Sequence, residues 1–314
     1  MNDSVYLITE CNDQSTYKEI DWLLFYKQPY IRKNVENDFQ EFQISLIDGK
    51  VESSFYNSVL WNRRGYLPIL PNILKLTTWG SYLKKEQLPV LFTLESINKS
   101  NYIGSFKQEF NNNKILNLLE ASKVGLEVPK TIVTNNRKNL LQFVEKGKGY
   151  ITKSIYQTPY LETADFYCYG EGTFELNFDE VSEIFAPSLV QEYIEKEIEI
   201  RTFFIEENYY SIAIFSQNDE KTKIDFRNYN QSKPNRNVPF ILPDNILNKL
   251  KLFSKKMNYK TGSFDLILTP KGKYFFLEIN PMGQYDWVSQ DCNYYIDKKI
   301  AELLIEKSKY EKRN

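Results

Sequence analysis

There is no histidine in this chain of 314 residues. That excludes Ser-His-Asp triads, histidine general bases and histidine-rich zinc sites together. Cysteine is nearly as scarce. Cys11, Cys168 and Cys292 are far apart and odd in number, which fits a reducing cytosol better than a disulfide framework. Nothing beside them suggests an activated thiolate. Net charge is missing too: Lys+Arg 40 stand against Asp+Glu 41. No general attraction to nucleic acid or to an acidic membrane is expected. The opening MNDSVYLITE has no basic stretch and no long apolar run, so no signal peptide is expected. No apolar run approaches the roughly 20 residues of a membrane span. What the chain does have is aromatic content, 15% and mostly Tyr and Phe. That argues for a folded protein, long enough for two or three lobes.

The most informative stretch is GSFDLILTPKGKYFFLEINPMGQYDW, residues 262–287. Two runs rich in β-branched and aromatic residues flank Pro270, Lys271 and Gly272, so it reads as a hairpin. A symmetric closure, or a loop of four residues, sets Asp265 opposite Glu278 and Ser263 opposite Asn280; an odd loop would shift the pairing by one. Asp265, Glu278 and Asn280 then share one face. Leu266, Leu268, Phe275, Leu277 and Ile279 fill the other. Opposed carboxylates repel, so a hard cation between them makes sense. Two acids and an amide suit Mg²⁺ alongside substrate phosphates. The competing reading is two solvated acids on a hairpin.

Elsewhere the chain opens as α/β: strand VYLIT, loop CNDQST, a helix capped by Ser15 or Thr16, then strand PYIRKN. FQISLIDG ends in an Asp48-Gly49 hairpin turn. SVLWNRRG is a third strand closing on Arg63 and Arg64. Such a pair can clamp a carboxylate or phosphate, or form structural ion pairs. The NNN run at 111–113 marks a boundary. KILNLLEASKVGLEVP reads as a helix stopped by Gly125 and Pro129, and GYITKSI as a strand bearing Lys153, where a phosphate contact or plain solvation both fit. Residues 158–176 read as a β-rich flap. In EIEIRTFFI, Glu199 and Arg201 share a face by alternation, although a run of acids is usually a solvated face. KIDFRNYN carries Asp225 and Arg227 two apart, again on one face; their bland alternative is a structural salt bridge. LPDNILNKLKLFSKKM is an amphipathic helix capped by Asp244, and DCNYYIDKKIAELLIEKSKYEKRN a terminal one with a fraying charged end.

In this order, the Lys-bearing strand, LVQEYI, EIEIRTFFI, the Asp-x-Arg, GSFDL and FLEINPMGQ resemble the ATP-grasp superfamily. More narrowly the chain resembles ATP-grasp peptide maturases of the grasp-with-spasm type, which are graspetide (microviridin-like, ω-ester) ligases. The matching stretches span nearly the whole chain. The resemblance implies α/β and α+β lobes: a Rossmann-like pre-ATP-grasp domain over 1–108, a central ATP-grasp lobe over 109–190 and a C-terminal lobe over 191–314. Carried over residue by residue, Lys114 and Lys153 contact the ATP phosphates. Gln191, Glu192, Tyr193 and Ile194 hold adenine, largely through backbone hydrogen bonds, and Glu199 binds the ribose. Asp265, Glu278 and Asn280 match the Mg²⁺ ligands, with two ions implied. Asp225 and Arg227 match the catalytic Asp-x-Arg, and Arg201 completes the phosphate site. The implied reaction activates a peptide Asp or Glu as an acyl phosphate, which a Ser/Thr hydroxyl or Lys amine attacks to close an ω-ester or ω-amide ring. The partner is a ribosomal precursor peptide with a leader segment, and the enzyme a cytoplasmic homodimer. Two alternatives stay open: a carboxylate–amine ligase acting on amino acids or small peptides, and a nucleotide-gated peptide-binding protein without catalysis.

Overall fold

The buried runs VYLIT and VLWN form the first sheet in the computed structural model, which describes residues 4–53, 58–75, 78–98, 101–156, 160–162, 167–169, 172–228 and 230–310. The N-terminal part consists of β1 (Val5–Thr9), α1 (Gln14–Phe25), β2 (Tyr30–Asn34), β3 (Ile44–Ile47), β4 (Lys50–Ser53), β5 (Val59–Asn62), α2 (Asn72–Lys75), α3 (Gly80–Ile97), β6 (Tyr102–Ile103) and α4 (Phe106–Phe110). Its sheet is parallel, in the order β2-β1-β5-β6. β3 and β4 form a separate hairpin. Its Asp48-Gly49 corner has φ of 50° and 75°, the left-handed pair that a two-residue turn needs. α1 starts earlier than its Ser and Thr suggest. Asp13 is the N-cap residue, and Ser15 and Thr16 are buried in the first turn, donating to the Asp13 carboxylate.

The middle of the chain holds α5 (Lys114–Lys123), β7 (Thr131–Asn136), α6 (Arg137–Phe143), β8 (Tyr150–Lys153), β9 (Tyr160–Glu162), β10 (Tyr167–Tyr169), β11 (Thr173–Glu175) and β12 (Ile184–Glu192). Its sheet runs β11-β8-β12-β7. β9 and β10 pair as a small antiparallel ribbon. The side chains of the expected aromatic flap, Cys168 included, lie outside the described residues.

The rest comprises β13 (Ile198–Ile205), β14 (Asn208–Phe215), β15 (Arg236–Phe240), α7 (Asp244–Met257), β16 (Thr261–Leu268), β17 (Tyr274–Asn280), α8 (Asp286–Cys292) and α9 (Ile296–Tyr310). These strands form one antiparallel sheet, β15-β14-β13-β16-β17. Every residue of β13 is buried, because both faces of the sheet are covered. Ile198, Ile200 and Phe204 point into a core shared with Ile246, Leu250 and Phe253 of α7. Phe203 and Ile205 pack with Val5, Leu7 and Leu23 of the N-terminal part and with Ile296, Ile300 and Leu304 of α9. The single terminal helix expected from the sequence is two. Asn293 and Tyr295, both at φ 52°, turn the chain between α8 and α9.

The hairpin pairs Asp265 with Glu278 and Ser263 with Asn280, as expected, but by a different route. The loop has an odd length: Thr269 N–H donates to Lys273 O, and Gly272 takes φ 73° between them. That shifts the pairing by one at Leu268↔Tyr274 and Leu266↔Phe276. A β-bulge before Asp265↔Glu278 shifts it back. The expected apolar face is corrected accordingly. Phe276, not Phe275, joins Phe264, Leu266 and Ile279 in the core, while Leu277 turns to the opposite side beside Ile267.

Candidate active site

One row of side chains crosses three strands. Register places Arg201 of β13 beside Asp265 of β16, and Asp265 beside Glu278 of β17. Arg201 grips Asp265 through both nitrogens, Nε to Oδ1 at 2.7 Å and Nη2 to Oδ2 at 2.8 Å. Its guanidinium lies 5.3 Å from the Phe226 ring centre and 5.7 Å from that of Trp287, within cation–π range. Glu278 faces cations at a greater distance. Lys114 and Lys153 each stand 3.8 Å from its Oε2, and Arg227 3.8 Å from its Oε1. These separations exceed the length of a charge-assisted hydrogen bond, roughly 2.7–2.9 Å, so the carboxylate is surrounded by charge without being bonded by it. Burial would raise the Glu278 carboxyl, yet Lys153, Lys114, Arg227 and Arg201 together hold it below its ordinary value. The like-charge repulsion that suggested a metal is therefore offset largely by the protein's own cations.

Lys153 is the complementary case. Its side chain is 8% exposed, and its ammonium has no hydrogen-bond partner among the described residues. Burial pushes its pKa down and Glu278 pulls it up, while Lys114 and Arg227 push it down further. Lys114 opens α5 behind the Asn113 cap, and its Nζ donates to the Ser154 carbonyl at 3.0 Å.

These groups form the floor of a cleft between the middle and C-terminal sheets. The far wall is the end of β12 and the residues after it. Glu192 N–H and Tyr193 N–H are already spent on Lys130 O and Gly149 O, at 3.0 and 2.9 Å. The N–H of Ile194 donates to no acceptor among the described residues, so backbone contact with a ligand is confined to part of the expected segment. Gln191 donates to Thr131 Oγ1 at 2.8 Å, and its own carbonyl oxygen is buried without a donor. Pro129, Ile151, Ile224, Ile267 and Leu277 supply the apolar lining.

Glu199 also lines the cleft. Its Oε1 accepts from Ser216 Oγ at 2.7 Å and from Lys196 Nζ at 2.8 Å, while Oε2 has no partner among the described residues. Burial raises its pKa. Asp225 and Arg227 do not share a strand face, because residues 219–228 are turns outside any strand. They pair directly instead: Arg227 Nε and Nη2 donate to Asp225 at 2.8 and 2.6 Å, and Arg227 N–H donates at 3.0 Å. Asp225 holds the arginine at the cleft mouth with Nη1 toward Glu278. Lys196 was missed in the sequence, hidden in a run of acids. It is buried, and it ties Glu199 to the Asp225 turn by donating to Ile224 O at 2.8 Å. Arg201 does not open onto the cleft; its fork is used on Asp265.

Asp265, Glu278 and Asn280 share the face and the end of the hairpin where a hard cation was expected. No group of three or more Cys, Asp or Glu that could hold a metal occurs among the described residues. The candidate donor set is two carboxylates and an amide, and the oxygens of Glu278 remain free of direct bonds. That set fits Mg²⁺ completed by phosphate oxygens.

No family model matches the chain, and no curated protein matches it in sequence. Solved structures do resemble it. A RiPP-associated ATP-grasp ligase from Chryseobacterium gregarium, in complex with ADP and a leader and core peptide, superposes with a TM-score of 0.81 at 24% identity, over 98% of this chain and 97% of that one. The macrocyclase MdnC from Microcystis aeruginosa MRC, bound with precursor peptide MdnA, gives 0.74 at 23% identity, over 96% and 99%. The ATP-grasp ligase PsnB, complexed with minimal precursor, Mg and ADP, gives 0.73 at 16%, over 98% of each. The chain has the ATP-grasp fold of these ligases along its whole length.

Proposed function

We propose that this protein is an ADP-forming ATP-grasp ligase that closes rings in a ribosomally made precursor peptide. It would activate Asp or Glu side chains as acyl phosphates for attack by a Ser/Thr hydroxyl or a Lys amine. The observation that carries this is the buried, unbonded ammonium of Lys153 facing Glu278 in the cleft between the middle and C-terminal sheets. A desolvated cation without a hydrogen bond is costly unless an anion arrives, and a polyphosphate is the anion this fold accommodates. With Arg201 paired to Asp265 and Arg227 to Asp225, Lys114 and Lys153 together face the single carboxylate of Glu278, which leaves one positive charge in excess at that end of the cleft for the phosphates.

The residues divide as follows. Lys114 and Lys153 hold the phosphates. Gln191, Glu192, Tyr193 and Ile194 hold adenine, with the Ile194 N–H as the open donor. Glu199 binds the ribose through Oε2. Asp265, Glu278 and Asn280 would hold Mg²⁺, which when bound neutralises phosphate charge and aligns the terminal phosphoryl group. Arg201 positions Asp265. Arg227, aimed by Asp225, steadies the developing acyl phosphate at the cleft mouth. With no histidine in the chain, the proton of the attacking hydroxyl passes to a carboxylate, with Asp225 the nearest candidate, or to the substrate. The lobes divide near residues 108 and 190, the first being the Rossmann-like pre-ATP-grasp domain. The enzyme works as a cytoplasmic homodimer on a leader-bearing peptide.

The test is incubation with the small peptide encoded beside this gene, ATP and Mg²⁺, read by mass spectrometry. Each ring closed removes one water, about 18 Da, with ADP released. Ligation of free amino acids without any peptide would overturn the macrocyclase reading in favour of a small-molecule ligase. Peptide binding without ADP release would overturn it in favour of a non-catalytic binder.

A further inference from the structure

The two arginines that follow β5 do different things. Arg63 is buried and structural. It donates to Ser15 Oγ and to Met282 O, each at 3.2 Å, and lies 3.7 Å from Asp13. Arg64 is half-buried on the wall of a second crevice, of about 500 Å³. No carboxylate among the described residues comes within ion-pair distance of it. Of the three acids of that crevice, Glu10 is exposed at its rim and the other two are engaged elsewhere. Asp13 accepts from Thr9, Ser15 and Thr16 at 2.7, 2.6 and 2.6 Å, and Asp286 is held by Lys18 at 2.6 Å. Burial and the neighbouring Arg63 depress the Arg64 pKa, and Asp13, Glu10 and Glu109, none of them close enough for an ion pair, offset this only in part.

The crevice also lies where the topology favours a ligand. The chain leaves β1 for β2 on one side and later returns to β5 on the other. The carboxyl ends of β1 and β5 therefore mark the switch point of a parallel sheet, where open α/β sheets bind ligands. The crevice adjoins the nucleotide cleft. Trp287 lines the crevice and Phe226 the cleft, and their ring centres are 6.2 Å apart.

We propose that this crevice is a subsite for a carboxylate side chain of the peptide substrate, with Arg64 as the residue that recognises it. The proposal rests on the peptide-ligase reading above. A guanidinium fork matches a carboxylate bidentately, and an arginine with no partner of its own is open to one. An acidic peptide lying across the Phe226–Trp287 wall would place one carboxylate at Arg227 and another at Arg64.

The experiment compares wild type, Arg64→Lys and Arg64→Gln on the precursor encoded beside the gene, and on precursors whose Asp and Glu residues are changed singly to Asn and Gln. The expected result is a fall in kcat/KM for the precursor of roughly 10- to 100-fold in Arg64→Gln, the size of one lost charge-assisted hydrogen-bond pair. Arg64→Lys should lie between, and KM for ATP should stay within about twofold, since no nucleotide group is lost. One peptide carboxylate should give the same fall in wild type and almost no further fall in Arg64→Gln. A change in KM for ATP instead would assign Arg64 to a nucleotide phosphate and overturn the proposal. Full additivity of Arg64→Gln with every peptide change would overturn it as well. If Arg64→Gln does not fold, the wild-type peptide series decides alone: no carboxylate outside the rings affecting kcat/KM rejects the subsite. Absence of any ring from wild type overturns the ligase reading, and this one with it; rings from wild type with Arg64→Gln unimpaired overturn only the subsite.

Discussion

At Lys153, function and stability pull in opposite directions. The ammonium is desolvated and its nearest carboxylate is 3.8 Å away, so the folded chain gains little from its charge. Lys153→Met should lower ATP turnover by about two to three orders of magnitude, as loss of a preorganised charge does. Its melting temperature should not fall; a marked drop would show that Lys153 is structural. Arg201 should behave the other way. Removing its fork from Asp265 leaves a buried carboxylate unpaired, which costs about 3–5 kcal/mol, so Arg201→Ala should lose both stability in urea titration and turnover. Glu19 makes a prediction in pH. It is buried, accepts from Trp61 Nε1 at 2.6 Å and from the Tyr285 hydroxyl, and burial raises its pKa to about 8. The folded state then holds a proton that the unfolded state releases near pH 4.5, the ordinary carboxyl value. Stability should fall as pH rises from about 4.5 to about 8 and be unaffected by this group beyond either limit. Thermal melts of Glu19→Gln across that range should be flatter; an unchanged slope would reject the assignment.

At the scale of elements, the hairpin was legible in composition and partner but not in its path. Alternation and the Pro-Lys-Gly signal predicted two strands, and the pairing of Asp265 with Glu278 followed. The bulge left no mark, since Leu277 is as apolar as the residue it displaces, and only the packing of Phe276 against α7 selects it. The Asp225–Arg227 pair was legible as a pair, yet the turn holding it depends on Lys196 and Ser216, whose partners are distant in sequence. Just past the hairpin, the backbone of Gly283 presses on β16. A Cβ there would lie 2.7 Å from Ser263 N and closer still to its side chain. Gly283→Ala should cost about 1–3 kcal/mol as an overpacked site and displace Met282, whose carbonyl Arg63 holds. Chemical denaturation would measure the first effect, and weaker precursor turnover the second. The bulge carries a prediction as well. Removing Leu277 without changing the loop should take out the bulge and leave Asp265 opposite Glu278 on a regular ladder, so turnover should be kept in part; its complete loss would contradict this register.

The whole molecule is tied together by its last helices. Ile296, Ile300 and Leu304 of α9 pack with Val5, Leu7 and Leu23 of the N-terminal part, and Met282 sits in the core around Leu60 and Leu91. The sequence predicted a terminal helix here but not its partner, because no local signal tells which distant surface a helix covers. A chain truncated before residue 296 should therefore fail to fold as a soluble protein, even though the proposed nucleotide cleft lies elsewhere; a soluble, cooperatively melting truncation would contradict this packing. The middle sheet has a separate core. Leu140, Tyr150 and Val190 pack with Ile132, Phe143, Leu176 and Phe178, and every one of these residues lies between 131 and 192. That lobe can swing on the segments before β7 and after β12 without opening any apolar core. Nucleotide, rather than packing, would then fix its angle, and the chain would report ATP as slowed amide exchange across residues 131–192 while α1 and α9 stay unchanged.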